Sequence, residues 1–296
     1  MICPVCEDNV HGGFDGLSKH MESWAERSDP SHVMWLNRNI SKEELSEEDL
    51  SLKLSEFYDF SKLGLASWIR KRFVEKFFSS RPHPFILEMQ EPSKYTIMGY
   101  VTEHYHFLRQ WVRSCAYIIA KSDAEDVQRY EIENISEEYF GLGDKIPHVE
   151  LLLRMGESVG LPRGLVISSS PLPKTRAAID FWNGVCRDKH WLLGMTSMHS
   201  LELIADRNVK DYGASYTYFD PKILDGALTK EAEQFLRAGY DADVYHSEGA
   251  LRLIEKYSNE LNMERDVQSY FILSSEMFYR YLNSRLERGR MYEKEL

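Results

Sequence analysis

The stretch ENISEEYFGLGDKIPHVELLLRMGESVGL, residues 133–161, contains the features that decide the fold. Apolar residues recur at three- and four-residue spacing on both sides of a break that carries two glycines and Pro147. This spacing predicts two core-facing helices over 124–140 and 148–160, because glycine and proline end helices. Acidic residues stand directly before the break, and His148 opens the second helix.

The same amphipathic pattern continues from this stretch towards both ends of the chain. It recurs over 56–79, 97–121, 172–190, 192–208, 228–238, 241–258 and 262–288. Ser41 begins S-K-E-E-L, whose Ser/Glu spacing predicts a helix start. The one strand candidate is VISSS at 166–170, where a short loop is favoured. The sequence therefore predicts an all-α domain of about eight or nine helices over 41–296, after a polar segment over 1–40.

Composition excludes several classes of protein. The 296 residues are 43% hydrophobic and 12% aromatic, which supports a sizeable core and disfavours disorder. A net charge of -11 disfavours a surface that neutralises nucleic-acid phosphates. No run of about 18 apolar residues is present, the N-terminus lacks a signal-peptide pattern, and the 4 cysteines are too few for a disulfide scaffold. We therefore expect a cytoplasmic protein that binds neither nucleic acid nor membranes.

The first forty residues contain a zinc-ligand pattern. Cys3 and Cys6 form a C-x-x-C, and an F-x-x-L-x-x-H run ends at His20. Two thiolates and two imidazoles close the zinc tetrahedron of a C2H2 finger. His32 is the predicted fourth ligand, although its distance from His20 exceeds the usual interval of about three to five residues, and His11 is a second candidate. We expect a structural zinc site; the alternative is an unstructured tag with two free thiols.

Two acid–histidine pairs suggest a metal site in the helical domain. Asp243 and His246, and likewise Glu103 and His106, stand three residues apart and would share a helix face. A carboxylate-bridged iron site in an all-α domain needs about four carboxylates and two or more imidazoles on facing helices. Either pair alone is also explained by a surface ion pair or a helix cap.

The stretch 133–161 resembles the signature of the heme-oxygenase-like diiron oxidases, a superfamily related to thiaminase II and pyrroloquinoline-quinone synthase. Its members carry an acid near a helix end, a glycine-rich break and a histidine that opens the next helix. The segments PLPKTRAAIDF at 171–181, SMHSLELIADR at 197–207 and DADVYHSEGALRLI at 241–254 are also similar to the superfamily. The resemblance covers roughly 90–260 and implies a heme-oxygenase-like helical bundle.

The resemblance also implies a set of iron ligands. They are Glu138, His148, Glu202, Asp243 and His246. Glu137 is an alternative to Glu138. The superfamily's last metal helix usually carries H-x3-D-x2-H, and Gly239 stands at the position of its first histidine. His199, three residues before Glu202, is the candidate replacement; otherwise the second of the two Fe(II) ions is weakly held. Glu103 and His106 are then expected to be groups near the site rather than ligands.

By the same resemblance, the expected function is O2-dependent oxidation of a small free amino acid or amine in specialised metabolism. The implied outcomes are desaturation, N-oxygenation or oxidative C–C cleavage, with an electron donor as a partner. Arg154, Lys174 and Arg176 are the candidate cations for a substrate carboxylate. One alternative is a metal-free, thiaminase II-like enzyme with Cys115 or Cys186 as nucleophile, although both lie in apolar stretches. The other is a non-enzymatic zinc-finger scaffold.

Two expectations concern the C-terminal part of the chain. The segment RLERGRMYEKEL, residues 285–296, is charged on all sides, which predicts a solvated helix end. The preceding helix carries large apolar side chains that could form either a homodimer face or an intramolecular core: Tyr270, Phe271, Phe278, Tyr279 and Leu282.

Overall fold

The computed structural model describes residues 1–141 and 146–295, apart from the side chains of 241–246. Within those residues it contains thirteen α-helices and no β-strand, which confirms the all-α prediction. The α-helices are α1 (Gly13–Glu26), α2 (Pro30–Asn39), α3 (Glu47–Phe57), α4 (Leu65–Phe77), α5 (Pro84–Glu88), α6 (Lys94–Lys121), α7 (Glu125–Tyr139), α8 (His148–Ser158), α9 (Arg163–Ser168), α10 (Pro173–Asp188), α11 (Trp191–His199), α12 (Lys230–Leu261) and α13 (Glu264–Glu295). Three short 3-10 helices span Ser200–Ile204, Arg207–Tyr212 and Pro221–Leu224.

Local capping sets where several helices begin. Ser46 accepts a hydrogen bond from the backbone N–H of Asp49, so α3 starts at Glu47 and the predicted start at Ser41 is wrong. The helices predicted over 228–238 and 241–258 form one continuous helix, α12, since a single glycine is tolerated inside a helix. The strand candidate lies partly in α9, which ends at Ser168.

The centre of the fold is the contact between α6 and α13. A Cβ placed on Gly99 would lie 2.2 Å from the carbonyl oxygen of Arg285 and 2.5 Å from the backbone nitrogen of Gly289. The absence of side chains at these two glycines therefore allows the two helix backbones to touch.

One face of the C-terminal segment is packed into the core. Arg285, Leu286 and Tyr292 are only 2%, 8% and 5% exposed. The prediction of a solvated helix end over 285–296 is therefore wrong for this face, which packs against α6, whereas Arg290, Met291 and residues 293–295 are exposed. The large apolar residues of the same helix, with Tyr279 only partly buried, belong to or pack against the intramolecular core: Tyr270, Phe271, Phe278, Tyr279 and Leu282.

The N-terminal segment is folded onto the helical domain. Cys3, Leu17, Met21 and Trp35 are buried in the same hydrophobic cluster as the residues of α3 and α4. The alternative of an unstructured tag is therefore wrong. No helix in the described part of the chain is both long and apolar enough to cross a membrane.

Candidate functional site

The four predicted zinc ligands come together in space. The ligand atoms of Cys3, Cys6, His20 and His32 all lie within 4.8 Å of one another. The Cys3 Sγ lies 3.6 Å from His32 Nε2, and the Cys6 Sγ lies 3.3 Å from His20 Nε2. The other candidate, His11, is not a member of this group. Two sulfur and two nitrogen donors at these distances are compatible with a zinc ion.

The wide interval between the two histidines follows from the turn between α1 and α2. His20 lies on α1, whereas His32 lies near the start of α2, so each helix supplies one imidazole. Asp29 caps α2 by accepting from the backbone N–H of His32 at 2.9 Å. Its carboxylate also lies 2.7 Å from His32 Nδ1, and the hydrogen bonds with His32 lower the pKa of Asp29. Asp29 thereby directs His32 Nε2 towards the cysteines, a role that sequence spacing did not reveal.

The helical domain brings Glu138 and His148 into direct contact. Glu138 lies in the last turn of α7, and His148 is the first residue of α8. His148 Nδ1 lies 3.0 Å from Glu138 Oε1. The second carboxylate oxygen, Oε2, is buried and has no hydrogen-bond partner within the described residues. A buried polar atom without a partner is costly, so this oxygen is a candidate contact for a bound ligand, water or ion.

Glu138 and His148 lie on the wall of an apolar cavity whose empty volume, its mouth included, is about 910 Å³. Glu137, Glu202 and Gly239 line the same cavity. Most of the remaining wall is aromatic or aliphatic, which is typical of small-molecule sites. The other two predicted iron ligands, Asp243 and His246, lie outside the described side chains.

His199 is buried between two carboxylates. Its Nε2 lies 2.8 Å from Glu131 and its Nδ1 lies 2.7 Å from Glu202. Burial lowers the pKa of this imidazole, but the two carboxylates outweigh burial and raise the pKa of His199 to about 10. Both ring nitrogens of His199 are thus engaged. The Tyr130 hydroxyl also donates to Glu202 Oε2 at 3.2 Å, so this hydroxyl and the charged ring together hold the Glu202 carboxylate in place. Sequence reasoning missed Glu131, which is 68 residues from its partner.

The cysteines proposed for a metal-free enzyme lie away from this cavity. Cys115 and Cys186 are 1% and 0% exposed, and neither lines the cavity wall. Burial raises the pKa of Cys115 well above its usual value and that of Cys186 to about 12. Since the thiolate is the nucleophile, both are poorly suited to that role.

The second acid–histidine pair also lies outside the cavity wall. Glu103 is fully buried and pairs with Arg288 at 2.8 Å, which ties α6 to α13. His106 lies 3.0 Å from the hydroxyl of Ser169, and burial lowers the pKa of this histidine to about 4.

The cations predicted to receive a substrate carboxylate are on the surface. Arg154 pairs with Glu150, Lys174 pairs with Glu287, and Arg176 is exposed. Among the arginines and lysines of the described residues, it is Arg285 that lies on the cavity wall. In the sequence, Arg285 falls at the helical spacing of the buried apolar residues of α13. The charged residues next to it in the sequence hid this position.

The helices and the cavity define a heme-oxygenase-like all-α protein. The model of the TENA/THI-4/PQQC family matches residues 68–288, so the chain belongs to this family. Family members are generally enzymes, thiaminase II and PQQC among them. One copy of a C2H2-type zinc finger matches residues 1–59.

Solved structures agree with this fold. The chain is similar to a TenA homologue from Pseudomonas syringae pv. tomato DC3000, with a TM-score of 0.58 and 13% identity over 80% of this chain and 92% of that chain. It is also similar to a domain of unknown function with a heme oxygenase-like fold from Shewanella denitrificans OS217, with a TM-score of 0.54 and 18% identity over 85% and 96% of the two chains. A TenA homologue from P. horikoshii OT3 is also similar, with a TM-score of 0.55 and 17% identity over 76% of this chain and 95% of that chain. No curated protein matched the sequence.

Proposed function

We propose that this chain is a non-heme iron, O2-dependent oxidase or oxygenase that acts on a small free amino acid or amine in specialised metabolism. The observation that carries the proposal is the pair Glu138 and His148 on the wall of an apolar cavity, where one carboxylate oxygen is buried and has no hydrogen-bond partner among the described residues. Carboxylate oxygen and imidazole nitrogen are the donors that non-heme Fe(II) sites use.

Glu138 and His148 would hold one iron. In this proposal the remaining ligands come from Glu202, Asp243 and His246, and Glu137 is the alternative to its neighbour. The second of two irons would be bound more weakly than the first, because Gly239 offers no donor atom and both nitrogens of His199 are engaged. Bound iron would supply the activation of O2, which side chains alone do not provide.

The chain's own residues would shape the site in two ways. Aromatic and aliphatic side chains of α6 and α12 line the cavity, where they would contact the substrate and limit the access of bulk water. Tyr130 and the charged His199 fix the orientation of the Glu202 carboxylate, as hydrogen-bonded neighbours do for metal ligands in general. Glu131 compensates the charge of His199.

Oxygen consumption by the iron-loaded protein tests the proposal. A panel of amino acids and amines is supplied to the wild type and to Glu138→Gln, with Glu133→Gln as control because Glu133 is an exposed residue of the same helix. We expect substrate-dependent O2 uptake in the wild type and the control and its loss in Glu138→Gln. Equal uptake in Glu138→Gln or in iron-free protein would contradict the proposal.

We further propose that Cys3, Cys6, His20 and His32 bind one structural zinc ion. Four protein ligands leave no open position, which is typical of structural rather than catalytic zinc. The metal would join the N-terminal knuckle to α1 and α2, both of which contribute to the shared core.

A further inference from the structure

Arg285 is a buried cation that has no acidic partner among the described side chains. It is 2% exposed and lines the cavity that Glu138 and His148 share. Its guanidinium donates to the hydroxyls of Tyr218 and Tyr281 and to His104 Nδ1, at 2.5, 2.7 and 2.9 Å. Within the described side chains, these acceptors are neutral groups and no carboxylate forms an ion pair with Arg285.

The guanidinium is also held in place by aromatic rings. Its central carbon lies 4.2 Å from the ring centroid of Tyr100, 4.6 Å from that of Tyr281 and 5.1 Å from that of Phe85. Such contacts compensate only part of the cost of removing a charge from water. The Nε atom is buried and has no hydrogen-bond partner among the described residues. Within the described residues, Arg285 therefore carries a charge that no carboxylate pairs and at least one unpaired donor, although Glu137, Glu138 and Glu202 line the same cavity.

We propose that Arg285 binds the carboxylate group of the substrate, so that the substrate is a carboxylic acid, such as a free amino acid, rather than a simple amine. This inference rests on the proposed function, since it places the carboxylate of the substrate in the cavity of the proposed iron site. Nη1 keeps one N–H beyond its bond to Tyr218, and this group can give a charge-assisted hydrogen bond to a carboxylate.

The rest of the cavity wall is consistent with such a substrate. Phe107, Trp111 and Phe235 give an apolar surface for its carbon chain. The acidic part of the wall comes from α7 and from the 3-10 helix Ser200–Ile204, whereas Arg285 belongs to α13, so the acidic and basic groups are held by different helices.

Binding to iron-free protein tests this inference without any reaction. The probes are sodium hexanoate with hexanamide, and L-norleucine with L-norleucinamide, because each amide keeps the carbon chain and lacks the negative charge. We expect the acids to bind the wild type at least about tenfold more tightly than the amides, as is typical of charged hydrogen bonds. Calorimetry and the ligand-dependent shift of the thermal midpoint both report this ratio.

The preference for the acid should disappear in Arg285→Gln and decrease in Arg285→Lys, which keeps the charge and loses the N–H groups that the guanidinium directs. It should persist in Arg290→Gln, a matched change at an exposed arginine of the same helix. If Arg285→Gln does not fold, the test is the comparison of the acid-to-amide affinity ratio between the wild type and Arg285→Lys.

Three results overturn the inference: equal binding of acid and amide, no binding of either, or an unchanged preference in Arg285→Gln. Iron content measured on the same preparations separates it from the proposed function. An iron-binding protein without acid preference contradicts only the role of Arg285. Acid preference in a protein that binds no iron supports that role and contradicts only the oxidase.

Discussion

Gly99 on α6 and Gly289 on α13 bring two helix backbones into contact, since a Cβ on Gly99 would lie 2.5 Å from the backbone nitrogen of Gly289. The same crossing places Arg285, one turn earlier on α13, beside Tyr100 and His104 of α6. The close approach of these two helices thus sets the position of the cation on the cavity wall.

Gly99→Ala should destabilise the protein because the added methyl group meets backbone atoms of α13 that cannot move aside. We expect a loss of about 1–3 kcal/mol in the free energy of unfolding, measured by urea denaturation. Gly184→Ala is the matched control, since no atom lies within 4 Å of the added Cβ and alanine favours a helix by about 0.5–1 kcal/mol. Equal effects of the two alanines would contradict the tight crossing.

His83 should make the stability of the protein depend on pH. Burial lowers its pKa to about 3, against 6.5 for an ordinary histidine. Its Nε2–H donates to the carbonyl of Tyr279, and its Nδ1 accepts from the backbone N–H of Phe85. Because only the unfolded chain binds a proton between these two pKa values, stability should fall as pH falls below about 6.5, by up to about 1.4 kcal/mol per pH unit.

His83→Asn isolates this contribution, because asparagine can still cap α5 and does not titrate. The free energy of unfolding, measured from pH 7 to pH 4, should decline less steeply in the variant than in the wild type. The same slope in both proteins would show that the folded state accepts the proton at His83.

Asp29 should control zinc affinity through His32. Asp29→Ser keeps a helix cap but cannot reach the imidazole, so we expect about 10–100-fold weaker zinc binding in competition with a chelator. Asp29→Asn keeps an acceptor oxygen and should weaken binding less. Affinities within about twofold of the wild type for both variants would leave Asp29 as a helix cap only.

Cys115 and Cys186 should be inert thiols. Because both are buried and burial raises their pKa values, neither should react with a thiol reagent until the protein unfolds. The test is the number of reactive thiols in zinc-loaded protein before and after denaturant. Rapid labelling of either residue in the native protein would favour the cysteine-dependent alternative.

The features that sequence analysis predicted are those encoded by local spacing. The amphipathic periodicity of the helices and the C-x-x-C at Cys3 and Cys6 depend on neighbours within a few turns. The break before His148 was visible for the same reason, and it brings this histidine to Glu138.

The features that were missed depend on distant parts of the chain. Arg285 lies among charged residues, and its burial follows from the crossing of α6 and α13. The pairing of His199 with Glu131 spans 68 residues, and the two carboxylates beside His199 give a charged imidazole at a position that was only a candidate for a metal ligand. Neither spacing nor composition reports such contacts.

Metal content per chain, after anaerobic loading with Fe(II) and removal of free metal, tests the central claim most directly. We predict iron and one zinc in the wild type, loss of iron with zinc retained in His148→Ala, and loss of zinc with iron retained in Cys3→Ala. A wild type that retains no iron, or a His148→Ala variant that binds as much iron as the wild type, would contradict the assignment of an iron site to Glu138 and His148.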